Sequence, residues 1–245
     1  MLIIVATIIA VSTVSLFLIH RSLGSNLHAS HHTSLPLSID NRITSLPKEI
    51  LVSSNAYTFF YDRASRPVPR RLLPNLPLGN LLKCLLRRNM ATFSHFPQAW
   101  LIRLSISAAD RQSFAPSYVR SLEFKEGDLV CGVYRVVARK ENQVELGMTR
   151  GPVVGRLVVG YEVDQNKEMV VFSTETIMWK RKDEGGGSIP LENPVVRFFH
   201  DMTAWWLIAS GVRFLMDLDG GECDEKVAFE DRDPAVGAVP FEDDE

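Results

Sequence analysis

The segment NPVVRFFHDMTAWWLIASGVRFLM, residues 193–216, decides how the rest of the chain is interpreted. Asn193 is a favourable N-cap and Pro194 a favourable first helical residue, so a helix is predicted to begin here. Only 11 residues between Asp201 and Arg213 lack a charge, which is too short a run to cross a hydrocarbon core. The segment is nevertheless apolar around most of its circumference. It is therefore predicted to be a long core helix that packs against a sheet.

The residues upstream of this helix supply the sheet. Polar turns of sequence RKEN and DQNK join segments that alternate with period two, and such short connections require antiparallel pairing. An aromatic strand is predicted at 55–62, and Leu78–Met90 has leucines at helical spacing. The fold class is thus α+β, with five or six strands. A lipocalin-like barrel is the alternative, but it requires about eight strands. The alternating segments are Leu129–Arg139, Gln143–Thr149, Arg156–Val163 and Met169–Lys180.

The N-terminus predicts a membrane anchor. Residues 2–19, LIIVATIIAVSTVSLFLI, form a run of 18 residues without a charge, long enough to cross a bilayer. They lack the basic region and cleavage site of a signal peptide. Arg21 follows the run and no Lys or Arg precedes it, which predicts a single-pass protein of the endoplasmic reticulum membrane with its body in the cytosol. The three cysteines are odd in number and lack metal-type spacing, so they are predicted to be unpaired, as in a reducing compartment. The absence of an N-glycosylation sequon also favours the cytosol.

Composition divides the remainder of the chain. Residues 20–45 are predicted to be a polar, solvated linker, and 46–218 to form the folded domain. Residues 219–245 are predicted to be a disordered acidic tail, because from residue 217 onward 12 acidic residues face only two basic ones. The segment 63–88 has seven basic residues and no acidic one. Two interpretations are open: a basic amphipathic helix lying on an anionic membrane, or an ordinary helix whose leucines pack into the fold.

The order of the elements resembles a known superfamily. The segments DLVCGVYRVVARKENQVELGM (128–148), GRLVVGYEVDQNKEMVVFSTETIMWKR (155–181) and NPVVRFFHDMTAWWLIASGVRFL (193–215) are similar to the START-like/Bet v 1-like (SRPBCC, helix-grip) superfamily. In detail they resemble uncharacterised bacterial and fungal members, through the strand residues 174–177 and the Phe199–His200 pair. The resemblance implies a curved antiparallel sheet gripping a long C-terminal helix. It also implies an apolar pocket for a lipid, sterol or polyketide.

The sequence offers two candidates for acid/base chemistry. Glu175 shares a strand face with several apolar residues, and if that face lines the cavity its carboxylate could transfer protons. The opposite face of the strand is also half apolar, so the inward face is left open. His200 is either a ligand-facing imidazole or a core histidine satisfied by hydrogen bonds. No hydrolase, zinc-protease, phosphate-loop or C-x-x-C motif is present, and no metal, cofactor or nucleic acid is expected.

The apolar strand positions that alternate with polar ones are predicted to line a small-molecule pocket. Three function classes are compatible with this. The first is a membrane-tethered cyclase or isomerase acting on a lipophilic polyketide or terpenoid intermediate. The second is a non-catalytic lipid-binding or metabolite-binding protein, and the third is a membrane adaptor. The predicted ligand contacts are Tyr134, Tyr161, Trp179, Phe199, Trp206 and Arg213.

Overall fold

The computed structural model describes Leu18 and residues 20–25, 27–36 and 39–218. The strands are β1 (His28–His32), β2 (Tyr57–Pro69), β3 (Leu129–Val130), β4 (Tyr134–Arg139), β5 (Gln143–Arg150), β6 (Val153–Asp164) and β7 (Met169–Arg181). The helices are α1 (Ile39–Arg42), α2 (Lys48–Val52), α3 (Leu78–Phe93), α4 (Pro97–Ser105), α5 (Pro116–Ser121) and α6 (Pro194–Met216). The strands form one open antiparallel sheet in the order β1-β2-β7-β6-β5-β4-β3. The α+β class is confirmed, with an open sheet rather than a barrel.

The meander predicted from the alternating segments forms strands β3 to β7, and β2 adds to its edge. β2 pairs with β7 along 13 residues, which is longer than the aromatic strand predicted at 55–62. Its continuation contains Pro67 and Pro69, which cannot donate a backbone hydrogen bond. Both lie beyond Ser65, where the pairing of β2 with β1 ends. The prolines are tolerated because β2 is an edge strand over that stretch.

Helix α6 begins where the sequence predicts. The Asn193 side chain accepts hydrogen bonds from the backbone N–H groups of Val195, at 2.9 Å, and Val196, at 3.3 Å. The helix packs against α3 and one face of the sheet, hereafter the helical face. A side chain at Gly211 would overlap Asn89 and Leu85 of α3. The close approach of the two helices therefore depends on a glycine at this position.

The other face of the sheet, hereafter the outer face, is covered by the segment 39–52. Its apolar side chains form a second buried cluster with strand residues. Glu145 of β5 attaches this segment to the sheet, because its carboxylate accepts hydrogen bonds from the backbone N–H groups of Thr44 and Ser45, both at 2.8 Å. Both faces of the sheet are consequently buried, each by a different part of the chain. The main members of the cluster are Ile39, Ile43, Ile50, Phe59, Tyr61, Val158, Ile177 and Trp179.

The structure differs from the sequence interpretation in one segment and fits one of the two alternatives in another. Part of the expected linker 20–45 forms the edge strand β1, which pairs with β2 although its five side chains are exposed. Within 63–88, α3 packs into the core, and Arg87 and Arg88 are buried. Arg87 donates hydrogen bonds to the Leu122 carbonyl, at 3.0 Å, and to Glu123, at 2.8 Å. These contacts fit the packing alternative for this helix, because its basic residues are engaged within the protein.

The predicted anchor and acidic tail lie outside the described residues, apart from Leu18 at the end of the anchor. Among the residues that the structure describes, no helix is long and apolar enough to cross a membrane. The expectation that no cysteine pairs is wrong, because Cys84 is disulfide-bonded, whereas Cys131 is a free, buried thiol. The cysteines therefore no longer favour a reducing compartment.

Candidate functional site

A cavity lies between the helical face of the sheet and helices α3, α4 and α6. Its outer chamber has a volume of about 650 Å³, and an inner chamber of about 110 Å³ shares several walls with it. The outer chamber alone falls in the usual range of small-molecule sites. The walls are mostly apolar, as the alternation in the strands predicts. They include Leu86, Phe93, Met148, Leu157, Val159 and Leu207.

A few polar side chains interrupt these apolar walls. Tyr134 lines both chambers, and its hydroxyl has no hydrogen-bonding partner among the described residues. Burial raises the pKa of Tyr134, so its hydroxyl stays protonated and can donate. Thr174 and Thr176 of β7 and Thr203 of α6 add hydroxyl groups. Apolar walls with a few convergent polar groups are typical of a binding site for a lipophilic molecule that carries an oxygen atom.

His200 is the one histidine among the described residues that lines this cavity, and a buried carboxylate holds it in place. Its Nε2 atom lies 2.9 Å from Asp62 Oδ2 and 3.4 Å from Thr176 Oγ1. Burial by itself lowers the pKa of His200. The charge and hydrogen bond of Asp62, together with the nearby Asp201, outweigh burial and raise the pKa above its ordinary value. The imidazole is thus oriented by an aspartate and biased toward its protonated form.

Asp201, the next residue of α6, lies beside this pair. It is 7% exposed, and Asp62 is 6% exposed. Burial raises the pKa of Asp201, His200 partly opposes the rise, and Asp62 adds to it. One donor atom from each of Asp62, His200 and Asp201 lies within 4.8 Å of the other two, which is close enough for the three residues to share a cation.

The structure separates the two predicted acid/base residues. Glu175 lies on the outer face of the sheet, whereas its neighbours Thr174 and Thr176 line the cavity on the helical face together with His200. The Glu175 carboxylate accepts hydrogen bonds from Tyr61, at 2.7 Å, and from Arg63, at 3.2 Å. The expectation of a carboxylate in an apolar cavity is therefore contradicted. Glu175 instead belongs to a buried ion-pair network beneath the segment 39–52.

Only Tyr134 among the predicted ligand contacts lines the cavity. Tyr161 is buried in the core, where its ring lies 6.3 Å from that of Phe172. Trp179 is on the outer face with Arg156 over its ring at 5.2 Å.

The remaining three predicted contacts are at the protein surface. Phe199 is 46% and Trp206 36% exposed, with the Arg88 guanidinium 5.2 Å from the Trp206 ring. Arg213 is exposed near Arg66, away from the cavity. The orientation of these five side chains depends on contacts that the sequence does not reveal.

Three residues of the site were not among the predicted site residues. Asp62 ends the aromatic stretch NAYTFFYD but lies 138 positions from its partner His200. Thr176 lies on the face of its strand opposite to that of Glu175, and Asp201 directly follows His200 in α6. A usable signal is the acidic residue at the end of this aromatic stretch, since a buried carboxylate requires a partner.

Comparisons of the chain with protein-family models, with curated proteins and with solved structures found no match. The seven-stranded antiparallel sheet with its C-terminal helix is compatible with a helix-grip fold.

Proposed function

We propose that the protein binds a lipophilic small molecule in the cavity between the sheet and α6. The observation that carries the proposal is the outer chamber of about 650 Å³ with mostly apolar walls. Burial of a ligand's hydrocarbon surface there would contribute roughly 25 cal/mol per Å². The Tyr134 hydroxyl and the His200 imidazole are the groups that would hold a carbonyl or hydroxyl oxygen of the ligand.

The location of the protein would suit such a ligand. We retain residues 2–19 as a proposed membrane anchor, which would hold the cavity close to the phase into which lipophilic molecules partition. The endoplasmic reticulum, with the domain facing the cytosol, remains the proposed site. This orientation is supported by the distribution of charge around residues 2–19 and by the absence of an N-glycosylation sequon, but not by the cysteines.

Photo-crosslinking in membranes tests the binding proposal. A lipophilic probe with a diazirine group is incubated with the full chain, and the labelled peptides are identified by mass spectrometry. Labelling should fall on cavity residues of α6 and of strands β4 to β7. Ala204→Phe would fill the inner chamber and should reduce this labelling, whereas Ala108→Phe makes the same exchange at an exposed residue outside the cavity. Labelling confined to exposed apolar residues of α4 would refute the proposal.

A second candidate function is proton-transfer catalysis, of the cyclase or isomerase type, on a polyketide or terpenoid ligand. The observation that favours it is the His200–Asp62 pair, since an imidazole oriented by a carboxylate can act as a general acid or base. With an identified ligand, His200→Gln should lower turnover at least about 100-fold. Glu175→Gln, on the other face of the sheet, should leave turnover per folded molecule unchanged. Unchanged turnover in His200→Gln would exclude this chemistry, and the binding proposal would stand.

A further inference from the structure

The strongest unexplained feature of the molecule is the cluster of Asp62, His200 and Asp201. Asp62 belongs to β2, and the other two residues follow one another in the first half of α6. These residues come together only because α6 packs onto the part of the sheet formed by β2 and β7. Their three donor atoms lie within 4.8 Å of one another, and both carboxylates are buried.

Asp201 has no partner that accounts for its burial. Among the residues that the structure describes, none donates a hydrogen bond to its carboxylate, and no Lys or Arg lies within ion-pairing distance of it. In the part of the chain that the structure describes, His200 is the only basic side chain within ion-pairing distance of Asp62. A buried carboxylate costs several kcal/mol unless a cation or hydrogen-bond donors compensate it. His31 and His20 lie close enough to lower the pKa of Asp201, but among the described residues neither forms a hydrogen bond or an ion pair with it. Two buried carboxylates therefore face each other with only the His200 imidazole bonded to one of them.

The types of donor atom indicate which cation would fit. Two carboxylate oxygens and one imidazole nitrogen, without a thiolate, suit first-row divalent ions such as Zn²⁺. Such an ion holds its ligands at roughly 2.0–2.2 Å, which sets them about 3.4 Å apart in a tetrahedron. The present separations, from 2.9 Å between His200 Nε2 and Asp62 Oδ2 up to 4.8 Å, require only small side-chain movements.

We propose that Asp62, His200 and Asp201 form a binding site for a divalent first-row transition ion, with Zn²⁺ as the representative. The ion would replace the proton that joins His200 to Asp62 and would neutralise the two carboxylates. His31 is paired with Asp62 across β1 and β2, so it lies on the same face of the sheet and is a candidate for the fourth ligand. Without it, a water molecule or a ligand oxygen would complete the coordination.

Titration of the ligand-free protein with Co²⁺ tests the site directly. The full chain is stripped with a chelator, dialysed, and titrated while the visible absorption of protein-bound Co²⁺ is followed; Zn²⁺ is then added in competition. We expect one Co²⁺ per chain, displaced by Zn²⁺. Asp201→Asn should weaken binding by more than about 100-fold, beyond the loss typical of a residue outside the coordination shell. Asp183→Asn removes a carboxylate from an exposed ion pair and should bind like the wild type.

Thermal unfolding shows whether a variant that fails to bind the ion is still folded. Asp201→Asn removes an uncompensated buried charge, so the metal-free variant should unfold at the same temperature as the wild type or higher. Zn²⁺ should raise the unfolding temperature of the wild type and of Asp183→Asn, but not that of Asp201→Asn. The proposal is overturned if the wild type binds no ion, or if Asp201→Asn and His200→Ala bind as tightly as the wild type. It is also overturned if binding depends on His28 and His32 instead. The titration uses no lipophilic ligand, so its outcome is separate from that of the proposed function.

Discussion

Replacing Glu145 by Gln tests how the outer face of the sheet is closed. The carboxylate accepts hydrogen bonds from the Thr44 backbone N–H, at 2.8 Å, the Thr44 hydroxyl, at 2.7 Å, the Ser45 backbone N–H, at 2.8 Å, and the Gln143 amide, at 2.7 Å. A glutamine has the same shape but only one acceptor oxygen. Its NH₂ group would therefore face at least one backbone N–H that has lost its partner.

The magnitude follows from these contacts. An unsatisfied buried donor costs about 1–3 kcal/mol, and the remaining bonds to a neutral oxygen are weaker than bonds to a charged one. We expect Glu145→Gln to lower the free energy of unfolding by about 2–4 kcal/mol. Urea unfolding gives the value, and hydrogen exchange should show the segment 39–52 losing protection before the strands do. Glu162→Gln is the control, since its partly exposed pair with Arg63 is worth about 0–1 kcal/mol. Equal stability of the two variants, or unchanged protection of the segment, would refute the reasoning.

The same carboxylate gives the stability a pH dependence. Burial alone raises the pKa of Glu145, but the hydrogen bonds from Ser45 and Thr44 outweigh it and hold the pKa below its ordinary value of 4.5. A group whose pKa is depressed by folding stabilises the protein above its unfolded pKa, and this contribution is lost as the pH falls through the folded pKa. Stability should therefore decrease below about pH 4.5, and Glu145→Gln should show a smaller decrease.

Three further predictions concern other parts of the molecule. Gly211→Ala should destabilise the protein by about 1–3 kcal/mol through overpacking between α6 and α3, whereas Gly185→Ala, where no atom lies within 4 Å of the added methyl group, should be nearly neutral in urea unfolding. Tyr134→Phe should weaken ligand binding by about tenfold if the hydroxyl donates to the ligand, and equal affinity would remove that contact. If residues 2–19 span a membrane, the protein should resist carbonate extraction, and release by high salt alone would exclude the anchor.

The sequence predicts the elements of this fold better than the orientation of their side chains. Period-two alternation and the Asn193–Pro194 start identify the strands from residue 129 onward and helix α6, because these signals are local. Strand β1 is not predicted from the sequence, because its exposed sequence HASHH has no apolar alternation. The faces of β7 cannot be distinguished, because 39–52 covers one face and the helices cover the other. Alternation alone therefore does not reveal that Glu175 and His200 lie on opposite sides.

Local irregularities of the strands and contacts between residues far apart in the chain also limit what can be predicted from the sequence. The register shift between Val136 and Ala138 reverses the faces of β4 beyond this point, so an alternation counted from Tyr134 fails after Val136. The Asp62–His200 pair joins residues far apart in the chain, and no spacing rule reaches that distance. Of the candidate site, the sequence could thus predict an apolar cavity with Tyr134 and His200 in its wall, but not the carboxylates beside the imidazole.

Native mass spectrometry of the full chain, purified from the cell that makes it, tests the central claim most directly. Released from detergent in the gas phase, the wild type should carry one lipophilic small molecule per chain, as should Ala108→Phe. Ala204→Phe, which fills the inner chamber, should carry less of it while keeping the same unfolding temperature within a few degrees. Full retention by Ala204→Phe would exclude the inner chamber alone, whereas a wild-type protein without any bound molecule would contradict the proposal that this cavity is the binding site.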